Sequence, residues 1–429
     1  VIGDTFWNLL GSVLPGLIGL LLVPKLVRGL GDEGMGTMGL AWATIGYASL
    51  FDFGLGRAIT KFGADRLARG DDEGFLLVLS SGIRALAYVS AALAILAAVA
   101  GWFAASRWLQ FAELAQGESA VRAFFWIALS LPAVLLSAGL RGALEAGGHF
   151  RQANLTWFPF ALMGTVLPVV ALEFTADVSV LVAIIAGVRW LSVFGFMMVL
   201  RRHHPAWRWG HRGSPEVLRG MLAFGSWITL SSVISPLMLS LDRFLLGSVV
   251  AMAAVAPYVV ANELASKVLV LPRALAGVLF PRFSVSGDEG RQAGRHLYRR
   301  AMWALGLTMA AFAIGGVLFA TPVLTLWVGP DMASQASGAL RWFAVGMAVN
   351  GLAHIPFAWL QGQGRADLTA KFHLVEAPLH LILLVWMVGK YSVEGAAIAW
   401  AIRAAVDLLL LAAAAAYLQG REVRREVPA

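Results

Sequence analysis

The chain has 429 residues, of which 59% are hydrophobic and 14% charged, and its mean hydropathy is +0.75. These values lie outside the range of water-soluble globular domains and describe an integral membrane protein. The net charge of +8 is dispersed over short connections with no reading module, which argues against a nucleic-acid partner, and the lack of cysteine excludes disulfides, thiolate metal sites and cysteine nucleophiles.

A helix of about 20 apolar residues crosses the roughly 30 Å hydrocarbon core. Such runs recur about twelve times, at 5–27, 36–56, 75–104, 120–141, 152–173, 178–200, 217–246, 252–281, 298–328, 334–361, 368–389 and 393–418. They are too long and too non-alternating for barrel strands, so the expected fold is all-α. No charged n-region precedes the first run, which is therefore expected to remain as a membrane helix rather than a cleaved signal.

Alternate connections carry the positive charge. Arg57, Lys61, Arg66 and Arg69, then Arg141 and Arg151, then Arg201, Arg202, Arg208, Arg212 and Arg219, then Arg282, Arg291, Arg295, Arg299 and Arg300, then Arg365 and Lys371 lie on one side with the tail's Arg421, Arg424 and Arg425. The opposite side holds little beyond Arg28, Arg107 and Lys390. The positive-inside rule makes the first set cytoplasmic and places both termini there.

The longest hydrophilic connection, R-R-H-H-P-A-W-R-W-G-H-R-G-S-P from Arg201, falls near the middle of the chain. It divides the sequence into an expected N-terminal lobe at 1–203, a cytoplasmic connection at 204–216, and a C-terminal lobe with a short basic tail at 217–429. A shift of 216 residues brings Leu-Gly at Leu30 onto Leu-Gly at Leu246, and L-E-A-G-G-H-F from Leu144 onto L-Q-G-Q-G-R-A from Leu360. With two residues of adjustment, G-V-R ending at Arg189 meets A-I-R ending at Arg403. Two six-helix halves of one topology form a parallel repeat about an axis along the membrane normal.

Arg189 sits inside a run that is otherwise apolar from Val178 to Leu200. Intramembrane charges are costly and face a bundle interior or a water-filled cavity. Arg84 and Arg189 have no opposite charge one turn away. Glu263 with Lys267 and Arg403 with Asp407 are spaced i, i+4 and are expected to neutralise one another locally. His354, His373, Glu376 and His380 fall within two adjacent spans, where a proton relay is conceivable. No H-E-x-x-H, Walker loop or G-x-S-x-G elbow is present, and His203, His204 and His211 in an arginine-rich loop read as solvated rather than metal-ligating. The outer connections are short, so no envelope enzyme is expected.

The stretches N-L-L-G-S-V-L-P from Asn8, L-G-D-E-G-M-G from Leu30, L-F-D-F-G-L-G-R-A from Leu50, L-D-R-F-L-L-G from Leu241, Y-V-V-A from Tyr258, L-F-P-R-F-S from Leu279 and W-L-Q-G-Q-G-R from Trp359 carry a resemblance. Over nearly its whole length the chain resembles the multidrug/oligosaccharidyl-lipid/polysaccharide (MOP) flippase superfamily, and within it the polysaccharide transporter branch of Wzx-type O-antigen flippases. The resemblance implies two MATE-like lobes in a bacterial inner membrane. It also implies alternating access that carries an undecaprenyl-pyrophosphate-linked oligosaccharide to the outer leaflet, with no cofactor beyond coupling to an H+ or Na+ gradient.

The substrate and membrane lipid are then the partners of an expected monomer, working alongside envelope polysaccharide polymerases. By residue type and depth, Arg84, Arg189, Lys267, Arg273 and Arg403 are candidates to hold the pyrophosphate, with Asn262 toward the glycan and Glu263, Glu376 and Asp407 for ion coupling. Guanidinium suits the task because it binds phosphate oxygens bidentately. Two alternatives share the fold: a multidrug exporter, which would want an acidic cavity, and a lipid II flippase, a group that usually carries two further helices.

Overall fold

A computed structural model describes residues 2–48, 52, 54–208, 213–222, 241–283 and 288–426. The protein is all-helical, with no strand among the described residues, and eight helices there are long and apolar enough to cross a membrane. Contacts between Cα atoms divide the chain into two compact units, residues 1–240 with 251–253, and 241–250 with 254–429.

The first unit begins with α1 (Ile2–Ala48), which covers two expected spans and breaks at Gly31, where φ is +65° and ψ is −177°. Only glycine adopts that backbone cheaply, so this residue turns one helical run into two segments. The second expected span ends before residue 56. Asp52 accepts from the Gly54 and Gly56 amides at 2.8 and 3.2 Å and so opens a new helix, α2 (Leu55–Leu67). In the sequence this amphipathic helix has the pattern of a plain connection, because its charges at Arg57, Lys61 and Arg66 hide its apolar face.

Asp71 then caps α3 (Asp72–Phe103), accepting from the Gly74 amide at 2.8 Å and from Arg66 at 2.7 Å. A π-helical turn extends α3 to Trp108 before the chain enters α4 (Leu114–Ala146), α5 (Phe150–Ala171) and α6 (Val178–His203). The hub is α4, which packs against α1, α2, α3 and α6. Its core is a cluster that includes Leu55, Ile59, Phe75, Leu79, Leu140 and Phe196. The midchain connection and the start of the expected span at 217–246 are drawn into the same core. Trp207 and Met221 are buried there, and the Ser214 amide donates to Ser81 Oγ at 2.9 Å.

The second unit contains α7 (Leu241–Val249), α8 (Val255–Ser266), α9 (Val270–Phe283), α10 (Asp288–Val328), α11 (Pro330–Gly362) and α12 (Ala366–Glu426). Of the expected span at 217–246, residues 223–240 lie outside the described residues. The span expected at 252–281 is stepped, since a 3-10 turn at Lys267–Leu269 separates α8 from α9. The last two expected spans form one run, α12, which breaks at Ser392, the one non-glycine residue with positive φ among those described. Here α11 is the hub, packing against α8, α9, α10 and α12.

Each unit is thus organised round one long helix. The first, α4, runs Leu114–Ala146, and α11 starts and ends 216 residues later, at Pro330 and Gly362. The offset visible in three short sequence matches therefore also governs the boundaries of the two hub helices.

Candidate functional site

In the first unit the site is set by how α6 starts. Asp177 caps it by accepting from the Ser179 amide at 2.9 Å, and the same carboxylate takes Arg122 at 3.0 Å and the Ser119 hydroxyl, both at or near the start of α4. The hydroxyls of Ser119 and Ser179, the Ser179 amide and Arg122 together hold Asp177 ionised well below the ordinary carboxylate range, at about 2, against the opposing effect of burial. Deeper in the unit, Ser137 of α4 and Ser192 of α6 share a buried hydrogen bond at 3.0 Å. The two helices are therefore pinned at two heights, and Arg189 lies between the pins.

Arg189 lines a cavity of about 290 Å³ with Arg141, Trp157, Ser137, Ile45 and Phe196 among its walls. Its guanidinium carbon stands 5.1 Å from the centre of the Trp157 ring on α5, a cation–π contact. The two arginines differ in their surroundings. Arg141 gives Nε to Glu145 at 2.8 Å and Nη2 to Asn154 at 3.0 Å, so its charge is locally balanced. Among the described residues Arg189 has neither a carboxylate partner nor a hydrogen-bond acceptor for its guanidinium. Arg84 lies exposed on α3 and is not among the residues lining this cavity.

In the second unit the charges are largely matched to one another. Lys267 donates to Glu263 at 2.8 Å, the local pair expected from the i, i+4 spacing. Asn262 is engaged on the protein side, accepting from Arg243 Nη2 at 3.2 Å. Arg243 stands beside the buried Asp242, which accepts from the Tyr258 hydroxyl. Arg243 and Tyr258 stand in stretches that carry the resemblance but are not among the candidate site residues; the partner of Asp242 sixteen residues on is visible only once α7 and α8 pack. Arg273 is exposed on α9.

Arg403 and Asp407 do not neutralise each other in the way their spacing suggests. Arg403 Nε faces Glu376 Oε2 at 3.7 Å, and Asp407 Oδ1 faces His373 Nε2 at 3.6 Å. These are ion-pair contacts between the two segments of α12, and with His380 all five residues are buried. His354, grouped with them in the sequence, instead contacts its own helix, at the Asn350 carbonyl. The oxygen and nitrogen atoms of His373, Glu376 and Asp407 lie within 4.8 Å of one another, close enough to share one cation.

The two units thus differ in chemistry. The first presents an uncompensated guanidinium in a cavity, and the second holds a buried set of titratable groups.

Comparison with known proteins defines the class of this helical protein. Residues 1–286 match the model of the polysaccharide biosynthesis protein family, and residues 228–387 match that of the MatE family. The chain belongs to the polysaccharide biosynthesis protein family, the polysaccharide flippase branch of the MOP superfamily.

Among individual proteins it is 29% identical to a "Putative O-antigen transporter" of Shigella flexneri over 411 residues, 96% of each chain. Of the solved structures, an inward-facing multidrug resistance MATE family transporter of the MOP superfamily superposes with a TM-score of 0.76 at 17% identity, over 96% of both chains. The lipid II flippase MurJ in an inward closed conformation superposes with a TM-score of 0.75 at 14% identity, over 96% of this chain and 87% of its own. These two likenesses establish the all-α fold, and its apolar helices make the protein a multi-pass membrane protein.

Proposed function

We propose that the protein carries an undecaprenyl-pyrophosphate-linked oligosaccharide from the cytoplasmic to the outer leaflet of a bacterial inner membrane by alternating access. The observation that carries this reading is Arg189, a guanidinium with no acidic partner among the described residues, set in a cavity with Arg141 and Trp157. An uncompensated guanidinium at membrane depth is costly unless an anion completes it. A pyrophosphate does so with bidentate hydrogen bonds. At about 290 Å³ the cavity lies just below the usual size range of ligand pockets, about 300–1,000 Å³. It therefore takes the charged headgroup while the prenyl tail stays in lipid and the glycan extends elsewhere.

A multidrug exporter of the same fold moves cations, and a cavity lined by two arginines and no carboxylate repels them. A lipid II flippase would use the same headgroup chemistry, so the substrate itself has to decide between them. Lys267, Arg273 and Arg403 belong to the second unit, where Lys267 and Arg403 already face carboxylates. In this reading Arg189 is the primary anion contact.

The test is leaflet exchange of a fluorescent polyprenyl-pyrophosphate saccharide in liposomes holding purified protein, read with an impermeant quencher. Arg189→Ala is expected to slow exchange at least about tenfold, the equivalent of one charge-assisted contact of about 1.5–3 kcal/mol. Arg189→Lys should retain part of the rate, because it keeps the charge but loses the fork. Full exchange by both variants at wild-type expression would remove the anion-cavity reading. Efflux of cationic dyes without lipid exchange would replace it with the multidrug exporter.

A further inference from the structure

The second unit has a cavity of its own, away from its buried charges. It measures about 340 Å³ and lies between the two segments of α12, lined by Arg365, Leu368 and Phe372 from the first and by Leu410, Ala414 and Tyr417 from the second. The spacings are i, i+3, i+7 and i, i+4, i+7, so each set is one face of its helix. Apart from the Arg365 guanidinium and the Tyr417 hydroxyl the walls are apolar.

The sequence repeat shows what is different about this end of the unit. Helix α12 starts 216 residues after α5, at Ala366 against Phe150. The same shift brings His149 onto Arg365, and the two-residue adjustment that matches Arg189 to Arg403 brings His203 onto Tyr417. In the first unit those two positions meet. The His149 and His203 rings stack with centroids 3.8 Å apart and planes 27° from parallel, which bridges the ends of α5 and α6. In the second unit the counterparts Arg365 and Tyr417 line the cavity, one on each segment.

The mouth of the cavity is cationic. Arg365 and Lys371 both reach Asp367, at 3.0 and 3.4 Å, so two cations meet one carboxylate and one positive charge is left over. The positive-inside rule puts this end of α12 at the cytoplasmic surface, where a tyrosine sits at headgroup level. An apolar recess there is filled by a hydrocarbon chain, because water inside it would find few polar partners.

We infer that this groove binds a glycerophospholipid with a single net negative charge, one acyl chain lying between the two segments of α12 and the phosphodiester on Arg365. Charge complementarity selects that occupant. A zwitterionic lipid brings no net charge to the surplus cation, and a polyprenyl pyrophosphate brings more negative charge than one cation answers. Basic pockets between membrane helices on the cytoplasmic side take anionic headgroups for the same reason. The bound lipid completes the cytoplasmic end of the α12 pair, as the histidine stack does for α5 and α6. Such a site does not depend on what the protein transports.

The test is lipid binding to the purified, delipidated full-length chain in detergent. Native mass spectrometry and thermal unfolding are read with phosphatidylglycerol, phosphatidylcholine or polyprenyl phosphate added. Phosphatidylglycerol is expected to bind about tenfold more tightly than phosphatidylcholine, as one charge-assisted contact provides, and to raise the unfolding midpoint by about 2–4 °C more. Arg365→Gln should abolish that preference, and Arg365→Lys should keep part of it. Arg151→Gln, at an exposed arginine of α5 on the same expected membrane face, should leave it intact. Ala413→Phe, which puts a ring into the cavity, should weaken binding of both phospholipids.

Equal affinity for the two phospholipids, or a preference that Arg365→Gln leaves unchanged, overturns the site. So does unchanged binding by Ala413→Phe, or a loss in Arg151→Gln as large as in Arg365→Gln, which would mark a general surface attraction. Displacement of phosphatidylglycerol by equimolar polyprenyl phosphate overturns the phospholipid as occupant and gives the groove to a prenyl chain.

Discussion

Individual charged residues in this protein are distinguished less by depth than by what balances them. Arg189 and Arg403 are matched by the sequence repeat, yet one faces Trp157 in a cavity and the other faces Glu376 in a packed interior. Asp177 shows the same logic at a helix end. Its carboxyl titrates at about 2, below its ordinary value near 3.8, so its contribution is fully present above pH 4 and is lost as pH falls toward 2. Replacing it with alanine removes the cap of α6 together with the Ser119 and Arg122 contacts. The expected cost at pH 7 is about 1–2 kcal/mol after allowing for partial exposure. Thermal unfolding in detergent should show that gap closing between pH 4 and pH 2; a constant gap would mean that the cap, not the charge, carries the effect.

Elements are positioned by close approaches that sequence patterns reveal poorly. The amphipathic α2 lies on α4 because Gly142 leaves room for its backbone. A Cβ there would meet the Gly56 carbonyl oxygen at 2.6 Å and Thr60 Oγ1 at 2.9 Å, while Thr60 Oγ1 donates to the Gly142 carbonyl at 3.1 Å. Backbone cannot yield as a flexible side chain can, so Gly142→Leu is expected to destabilise by about 1–3 kcal/mol. Limited proteolysis of the α2–α3 turn at Arg69 measures this directly. Faster cleavage in the variant is the expected result, and an unchanged rate would show that α2 is held by its other contacts.

Spans were legible where apolar runs are long, as in α3 to α6, α10 and α11. Missed were α2, whose charges mask it, and the step at Lys267, where a single 3-10 turn leaves composition unchanged.

At the scale of the whole molecule, the cysteine-free sequence makes the orientation open to direct test. Single cysteines at Arg69 and Ala206 are expected to react with an impermeant thiol reagent only from the cytoplasmic side, and one at Ala115 only from the outside. The opposite pattern would invert the positive-inside assignment and the proposed direction of transport.

The sequence by itself determined the membrane class, most spans, the 216-residue repeat and the oddity of Arg189, because hydropathy, charge bias and periodicity are sums over local residues. Tertiary structure alone decided which charges are answered and by whom. Spacing paired Arg403 with Asp407, but packing of the two α12 segments gave Arg403 to Glu376 and Asp407 to His373. It likewise drew Trp207 of the midchain connection and Met221 of the following expected span into the first unit's core. Such partners are chosen across helices, by distances that no local window of sequence contains.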